Sequence, residues 1–222
     1  MNDGLRARYD SEAGARAYAG KYGGRWSRRL SNRRELGLLR WAIEATGHER
    51  GAGGAFLDVP CAAGRLVPVL LEFADRVTAI DLSPAMVAVA SAALASEIAG
   101  GRVLVGEGDA AALRFDDGAF DTVVSWRLLH HLTDRPTRIR ILRELARTAR
   151  HAVVVTFADA STWKARFQRW RGRNRRCQKL TKAEFRAEAL EAGLSTLDIR
   201  RLSSPFSLVA AAALRPIRPS AA

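Results

Sequence analysis

Apolar positions along this chain fall into two alternating patterns. Short runs, nearly continuous in apolar or β-branched residues, stand at 55–60, 77–81, 103–105, 120–126 and 152–157 and predict strands. Between them lie stretches with helical spacing: 66–73, a segment opened by Ser83 and Pro84, and 136–150, where Ile139, Ile141, Leu142 and Leu145 recur. Ser83 suits an N-cap and Pro84 the first helical position. Strands apolar throughout, alternating with helices, predict a parallel sheet covered on both faces. Further on, 181–192 reads as a helix with a Thr181/Glu184 capping box closed by Gly193, followed by two last strands at 195–202 and 206–214. Upstream, 11–19 and 30–46 have helical spacing, the second through Leu30, Leu36, Leu38, Leu39, Trp41 and Ile43. A glycine-rich break at 51–54 precedes the first strand. The expected architecture is α/β, a mostly parallel seven-stranded sheet with helices on both faces over 51–222, preceded by a helical lid or extension over 1–50.

The length of 222 residues suits one such domain, and 48% hydrophobic residues suffice for a core. The longest uncharged runs, 82–96 and 202–214, are too short to cross a bilayer, and the N-terminus has no apolar stretch after its charges. With only Cys61 and Cys177, far apart in the chain, neither a disulfide framework nor a thiolate metal site is implied, and the expected location is cytoplasmic. Lys and Arg outnumber Asp and Glu by 36 to 23, a net charge of +13. Such a balance attracts nucleic acid, anionic lipid or acidic substrates. Lysine, however, occurs only at positions 21, 164, 179 and 182, and an arginine-for-lysine bias beside abundant alanine is equally what a G- and C-rich genome produces.

In an open parallel sheet, ligands bind beyond the carboxyl ends of the strands, where strand order reverses. Asp58, Asp81 and Asp109 fall at the ends of the first three strands. A carboxylate ending the second strand can accept both hydroxyl protons of a ribose. The spacing from Asp58 to Asp81 also fits a dinucleotide site, but the first turn lacks the Gly-x-Gly-x-x-Gly that a pyrophosphate needs. The pattern therefore favours a nucleoside carrying an amino acid. The alternative for Asp58 and Asp81 is that they merely cap the following helices, and for Asp109 that it merely begins a turn.

The segment FLDVPCAAGR over 56–65 resembles the first motif of class I S-adenosylmethionine-dependent methyltransferases, and AIDLSPAM over 79–86 resembles their second. GDAAALRF at 108–115 with FDTVV at 120–124 resembles the third and fourth, and LHHL at 129–132 looks like the segment after the fourth strand in the ubiquinone and menaquinone biosynthesis type. The resemblance covers about 55–158 and implies a Rossmann-like class I methyltransferase fold with S-adenosylmethionine as cofactor, S-adenosylhomocysteine as product and no metal. It implies that the turn holding Asp58, Pro60, Cys61, Ala62 and Gly64 carries the methionine end of the cofactor and that Asp81 takes the ribose. Leu82 and Met86 would face the adenine, Asp109 and Ala110 would read its edge, and Trp126 would line the methyl-transfer pocket. Pro60 and Ala62 stand where the family usually has glycines, so a methyl group is added where the cofactor passes.

Methyl transfer from a sulfonium is an in-line displacement, in which alignment and exclusion of water dominate. Where the acceptor must lose a proton, His130 or His131 is a candidate base, with His130 preferred; the alternative is that each packs the following loop. Tyr18, Tyr22, Arg25, Trp26 and Arg127 are candidate acceptor contacts. A basic insert at about 160–180 interleaves arginines with Phe167 and Trp170. It can be read as a grip on RNA, as a basic amphipathic helix touching anionic lipid, or as a solvated connection. The leading expectation is O-methylation of a small biosynthetic molecule by a monomer or homodimer. The alternatives are an RNA methyltransferase and a non-catalytic binding protein of the same fold.

Overall fold

In the computed structural model, which describes residues 13–15, 17, 26–171, 177–203 and 207–218, every apolar run named above becomes a strand. These are β1 (Ala55–Asp58), β2 (Arg76–Asp81), β3 (Val103–Glu107), β4 (Phe120–Ser125), β5 (Ala149–Ala158), β6 (Leu194–Arg201) and β7 (Val209–Pro216). They form one sheet in the order β3-β2-β1-β4-β5-β7-β6. β1 to β5 pair in parallel, and β7 runs antiparallel between β5 and β6. Strand order reverses between β1 and β4, so a crevice opens at their carboxyl ends.

The helices are α1 (Trp26–Glu44), α2 (Val67–Leu70), α3 (Pro84–Ala93), α4 (Ala95–Ala99), α5 (Arg135–Thr148), α6 (Trp163–Trp170) and α7 (Lys182–Glu191). Successive strand residues point to opposite faces, and two cores result. Leu57, Val123 and Val153 pack with Leu142 and Leu145 of α5 and Phe185 of α7. Phe56, Val124 and Val154 pack on the other face with Leu39 and Ile43 of α1, Leu70 of α2 and Ala90 of α3. Each fully buried Leu, Ile or Phe contributes roughly 1.5–3 kcal/mol. α1 is therefore part of the cover of the sheet rather than a lid over it.

Two helix ends are set as the sequence predicts: Ser83 Oγ accepts from the Met86 amide above Pro84, and Thr181 and Glu184 form a reciprocal capping box. A third cap, Asp134 Oδ2 accepting from the Thr137 amide, was not singled out in the sequence. Two things differ from the pattern-based reading. The last strand begins at Val209 rather than 206, and the basic insert contains a two-turn helix, α6. One polar tie is internal: Arg138 of α5 is buried, donates to both carboxylate oxygens of Glu188 on α7 at 2.9 and 2.6 Å, and donates to the carbonyls of Leu132 and Thr133. With its donors this well used, a buried charge pair is tolerated and fixes how α5 meets α7.

Candidate active site

The turn after β1 is held by backbone bonds to both neighbouring strands. Val59 N donates to Val124 O at 2.9 Å and Cys61 N to Ile80 O at 2.8 Å. Gly64 adopts φ 73°, and a Cβ there would stand 2.7 Å from Cδ1 of Leu94, the residue between α3 and α4. Ala62 also lies in the left-handed region, at φ 48°, a conformation that favours glycine. The position keeps the glycine-type backbone although the residue is alanine. Its amide donates to Asp81 Oδ2 at 2.9 Å, while Ser83 N donates to Asp81 Oδ1 at 2.9 Å. The Asp81 carboxylate is thus aimed by two backbone donors from different segments and sits almost buried at the rim of the crevice.

Asp58 lies beneath this turn, completely buried, and neither carboxylate oxygen has a hydrogen-bond donor. Burial pushes its carboxyl up to about 8, with the Arg65 charge opposing and the Asp81 charge adding to the rise. Cys61 is buried, and burial followed by the charges of Asp58 and Asp81 raises its thiol, so it is a packing residue rather than a nucleophile. The pair expected at the adenine is divided: Leu82 is exposed beside Asp81, whereas Met86 is buried. At the end of β3, Asp109 is exposed and its Oδ1 accepts from Ala111 N at 2.9 Å, while Ala110 is buried. Gly108 N donates to Asp81 O at 3.0 Å, tying this loop to the rim.

Beside the crevice, at the carboxyl ends of β4 and β5, is a cavity of about 360 Å³. Its wall comes from five separate segments: Ser31 and Glu35 on α1, Arg127 and His130 after β4, Thr156 to Ala158 on β5, Lys164 with Cys177, and Leu202 with Ser207 to Val209. Glu35 is buried and accepts from Arg127 through Nε at 3.1 Å and through Nη2, and from Arg65 Nη2 at 3.3 Å. Arg65 Nη1 also donates to Asn32 Oδ1 at 2.6 Å. Burial alone would raise the Glu35 carboxyl. The hydrogen bond and charge of Arg127, then the charge of Arg65 and the nearby Trp126 indole, outweigh it and hold the group below its usual value. Arg127 itself takes φ 62°, and its amide donates to Thr156 Oγ1 at 2.7 Å. A strained backbone over-determined in this way is characteristic of a functional wall.

His130 borders the cavity, and its carbonyl accepts from Gln178 N at 2.9 Å. Its ring lies 4.0 Å from that of His131, centroid to centroid. Burial first, then the charges of His131 and Arg127, lower His130 to about 3, so the ring is neutral at ordinary pH.

Several sequence-predicted residues lie elsewhere. Trp126 is packed into the core with Leu39 and Leu202 and is not among the residues that line the cavity. Trp26 begins α1 with 77% of its surface exposed and is not in the cavity wall. Tyr18, Tyr22 and Arg25 lie outside the described residues. Arg127 does border the cavity, but with its guanidinium on Glu35. The sequence reading missed Glu35 and Thr156. Glu35 carried a signal, since it shares a helical face with Leu38, Leu39 and Ala42, and an acid on a core-facing stripe demands a partner.

A family model for the methyltransferase domain matches residues 56–152, from β1 into β5. That span carries the turn, Asp81, Asp109 and the two histidines. Over that span, somewhat under half of the chain, the sequence is similar to the methyltransferase domain family. Ajmaline N-methyltransferase from Rauvolfia serpentina is 32% identical over 94 residues, which are 42% of this chain and 31% of that enzyme. The match thus spans about a third of the length of that curated relative. Magnesium protoporphyrin IX methyltransferase from Synechocystis PCC 6803, solved with bound SAH, superposes with a TM-score of 0.80 at 20% identity over 97% of this chain and 100% of its own. The [4+2]-cyclase SpnF superposes at 0.64 with 19% identity, covering 82% of this chain and 80% of the cyclase. At such identities the superpositions speak for the fold alone, and the cyclase shows that this fold serves more than one chemistry.

The residues present fit the family cofactor. S-adenosylmethionine brings a cationic ammonium, a ribose diol and no phosphate. Asp58 is a buried carboxyl without a donor, Asp81 is a carboxylate already oriented at the rim, and the turn between them carries no pyrophosphate-binding glycine pattern. Among the described residues, no group of three or more His, Cys, Asp or Glu side chains could hold a metal ion.

Proposed function

We propose that this chain methylates a small molecule bound in the cavity between α1 and the ends of β4 and β5, at an oxygen beside His130. The observation that supports the reading best is the donorless Asp58 carboxyl beneath a left-handed turn whose amide aims Asp81. S-adenosylmethionine held there would supply an activated methyl group to the acceptor oxygen, whose proton His130 would take. Asp58 and the 58–64 turn would hold the methionine end, and Asp81 would accept from the ribose. Leu82 would cover one face of the adenine, and Asp109 with Ala110 would border its edge.

The cavity wall selects the acceptor. Arg127 and Lys164 favour an anionic or ionisable molecule, and the apolar Leu202, Leu208 and Val209 favour one with a hydrophobic body. His130, neutral and desolvated, accepts a hydrogen bond from the acceptor hydroxyl. An anion bound by Arg127 offsets one of the charges that depress the ring, so basicity rises when the acceptor arrives. Tyr18, Tyr22 and Arg25 remain candidate acceptor contacts by their chemistry, two phenols and a guanidinium.

The test has two steps. S-adenosylhomocysteine at about a hundred times its Kd stabilises the protein by about 2.7 kcal/mol if it binds the native state alone. Radiolabelled methyl transfer into a cell extract then enters small molecules rather than RNA or protein. No thermal shift removes the cofactor site, and label in RNA replaces the acceptor class. Full turnover by His130→Ala on the true acceptor removes the role given to that ring.

A further inference from the structure

The basic insert contains a surface feature that neither the cofactor cleft nor the acceptor cavity uses. On α6, Trp163, Phe167 and Trp170 stand at i, i+4 and i+7 and so share one face. All three point to solvent, with 55%, 42% and 78% of their surfaces exposed. Neighbouring rings touch, with centroids 6.1 and 5.8 Å apart. Arg171 lays its guanidinium over Phe167 at 4.9 Å, and Arg166 is exposed on the same two turns. Opposite the stripe, Ala165 is buried, and Lys164 reaches the wall of the acceptor cavity.

We propose that α6 is an interfacial helix that seats the protein on an anionic lipid surface, aromatic side down, beside the acceptor cavity. Trp and Phe on one face with arginines around them are what the headgroup–acyl boundary accepts, the rings entering the boundary and the cations meeting lipid phosphates. Eight residues give about 12 Å of helix, too short to span a bilayer, so the helix lies in the plane of the surface. Charge decides among occupants. A chain of net charge +13 repels a second copy of itself and is drawn to an anionic leaflet. RNA fits less well, because rings tilted 47° and 36° to their neighbours and packed against one another leave no parallel faces between which a base can stack. Such seating would leave Lys164 and the cavity wall one helix diameter, ~10 Å, from the lipid surface.

Co-sedimentation of the full chain tests this, with vesicles of phosphatidylcholine alone, vesicles also containing phosphatidylglycerol, and mixed single-stranded RNA as probes. The chain is expected to sediment with the anionic vesicles and not with neutral ones. Trp163→Ser/Phe167→Ser/Trp170→Ser should weaken that binding by about tenfold or more, since three apolar side chains then stay in water. Arg166→Glu/Arg171→Glu keeps the stripe and should remove the preference for anionic vesicles. Both variants should keep the native melting temperature and its shift with S-adenosylhomocysteine, because every altered side chain is exposed. Failure to sediment with anionic vesicles, equal sedimentation of the triple variant, or binding to RNA in preference to vesicles overturns the proposal. The vesicle assay contains no methyl donor, so its failure leaves the cofactor reading standing, and loss of the S-adenosylhomocysteine shift leaves this one standing.

Discussion

The two halves of the crevice are built in opposite ways. On the cofactor side, three acids from the ends of adjacent parallel strands stand around a turn whose shape is set by backbone bonds and by left-handed residues at 62 and 64. On the acceptor side, five distant segments meet, the charges are mostly basic, and the shape is set by side chains centred on one buried carboxylate, Glu35. On the proposed function, the first half would answer the cationic end of the cofactor. The second would answer the acceptor through side chains that can be exchanged without disturbing the strands. If that division is real, damage to the turn should act mainly through backbone geometry, and damage to the wall should act through charge.

Gly64→Ala should have the largest effect. The new Cβ would take a left-handed backbone, worth roughly 1–2 kcal/mol, and press on Leu94, adding roughly 1–3 kcal/mol. Thermal melting should fall accordingly, and the shift with S-adenosylhomocysteine should vanish. A variant as stable as the native chain would show that the turn is not held by its backbone.

Glu35→Ala tests the other half. It leaves Arg127 and Arg65 facing a buried space without their carboxylate. Both arginines are partly solvated, with side chains 30% and 14% exposed, so the expected loss is about 2 kcal/mol rather than the larger penalty of a fully buried pair. Because Arg127 reaches Glu35 from the cavity wall, the acceptor KM should rise while the affinity for S-adenosylhomocysteine changes little. Parallel loss of both ligands would mean that the halves are one unit. The pH dependence has a definite sign: Glu35 is held below its usual value, so its contribution is present above about pH 4.5 and is lost as the pH falls through the depressed value.

The same contrast explains what could be read from the sequence. The seven strands and the capped helices follow from local patterns, and so do the positions of Asp58, Ala62, Gly64 and Asp81, which lie within one strand–turn–strand unit. The acceptor wall is not written locally. Glu35 and Arg127 are 92 positions apart, and nothing near either one announces the other. Trp126 shows the limit from the other direction: its position after β4 suggested the pocket, but a large indole following a buried strand is drawn beneath α1. α6 was visible as composition, and its aromatic face became definite only once the helix was placed.

Asp58→Asn separates charge from packing on the cofactor side. Because the native carboxyl is raised to about 8, the folded chain keeps a proton that the unfolded chain, with an ordinary value of 3.8, releases. The stability of the ligand-free protein should therefore fall as pH rises between about 4 and 8 and level off above. Asn cannot ionise, so the variant should lose that slope and melt higher than the native chain at pH 8. It should also bind S-adenosylhomocysteine about tenfold more weakly there, since the ligand ammonium has no carboxylate to meet. An unchanged slope would show that Asp58 is not the titrating group.

Ala62→Gly should have the smallest effect, and it favours the protein. Glycine adopts φ near +48° without the cost that a Cβ carries there, so relief of roughly 1 kcal/mol in the folded state is set against the greater freedom of glycine in the unfolded chain, which removes a similar amount. Net stability should move by less than about 0.5 kcal/mol, within the ordinary range of a neutral substitution. The cofactor side should respond more clearly: a methyl group leaves the turn over which the methionine end passes, while the amide that holds Asp81 Oδ2 stays in place. Binding of S-adenosylhomocysteine by calorimetry should tighten by a few fold. Weaker binding would mean that the alanine methyl makes a contact with the ligand, and the turn would then be read through its side chain as well as its backbone.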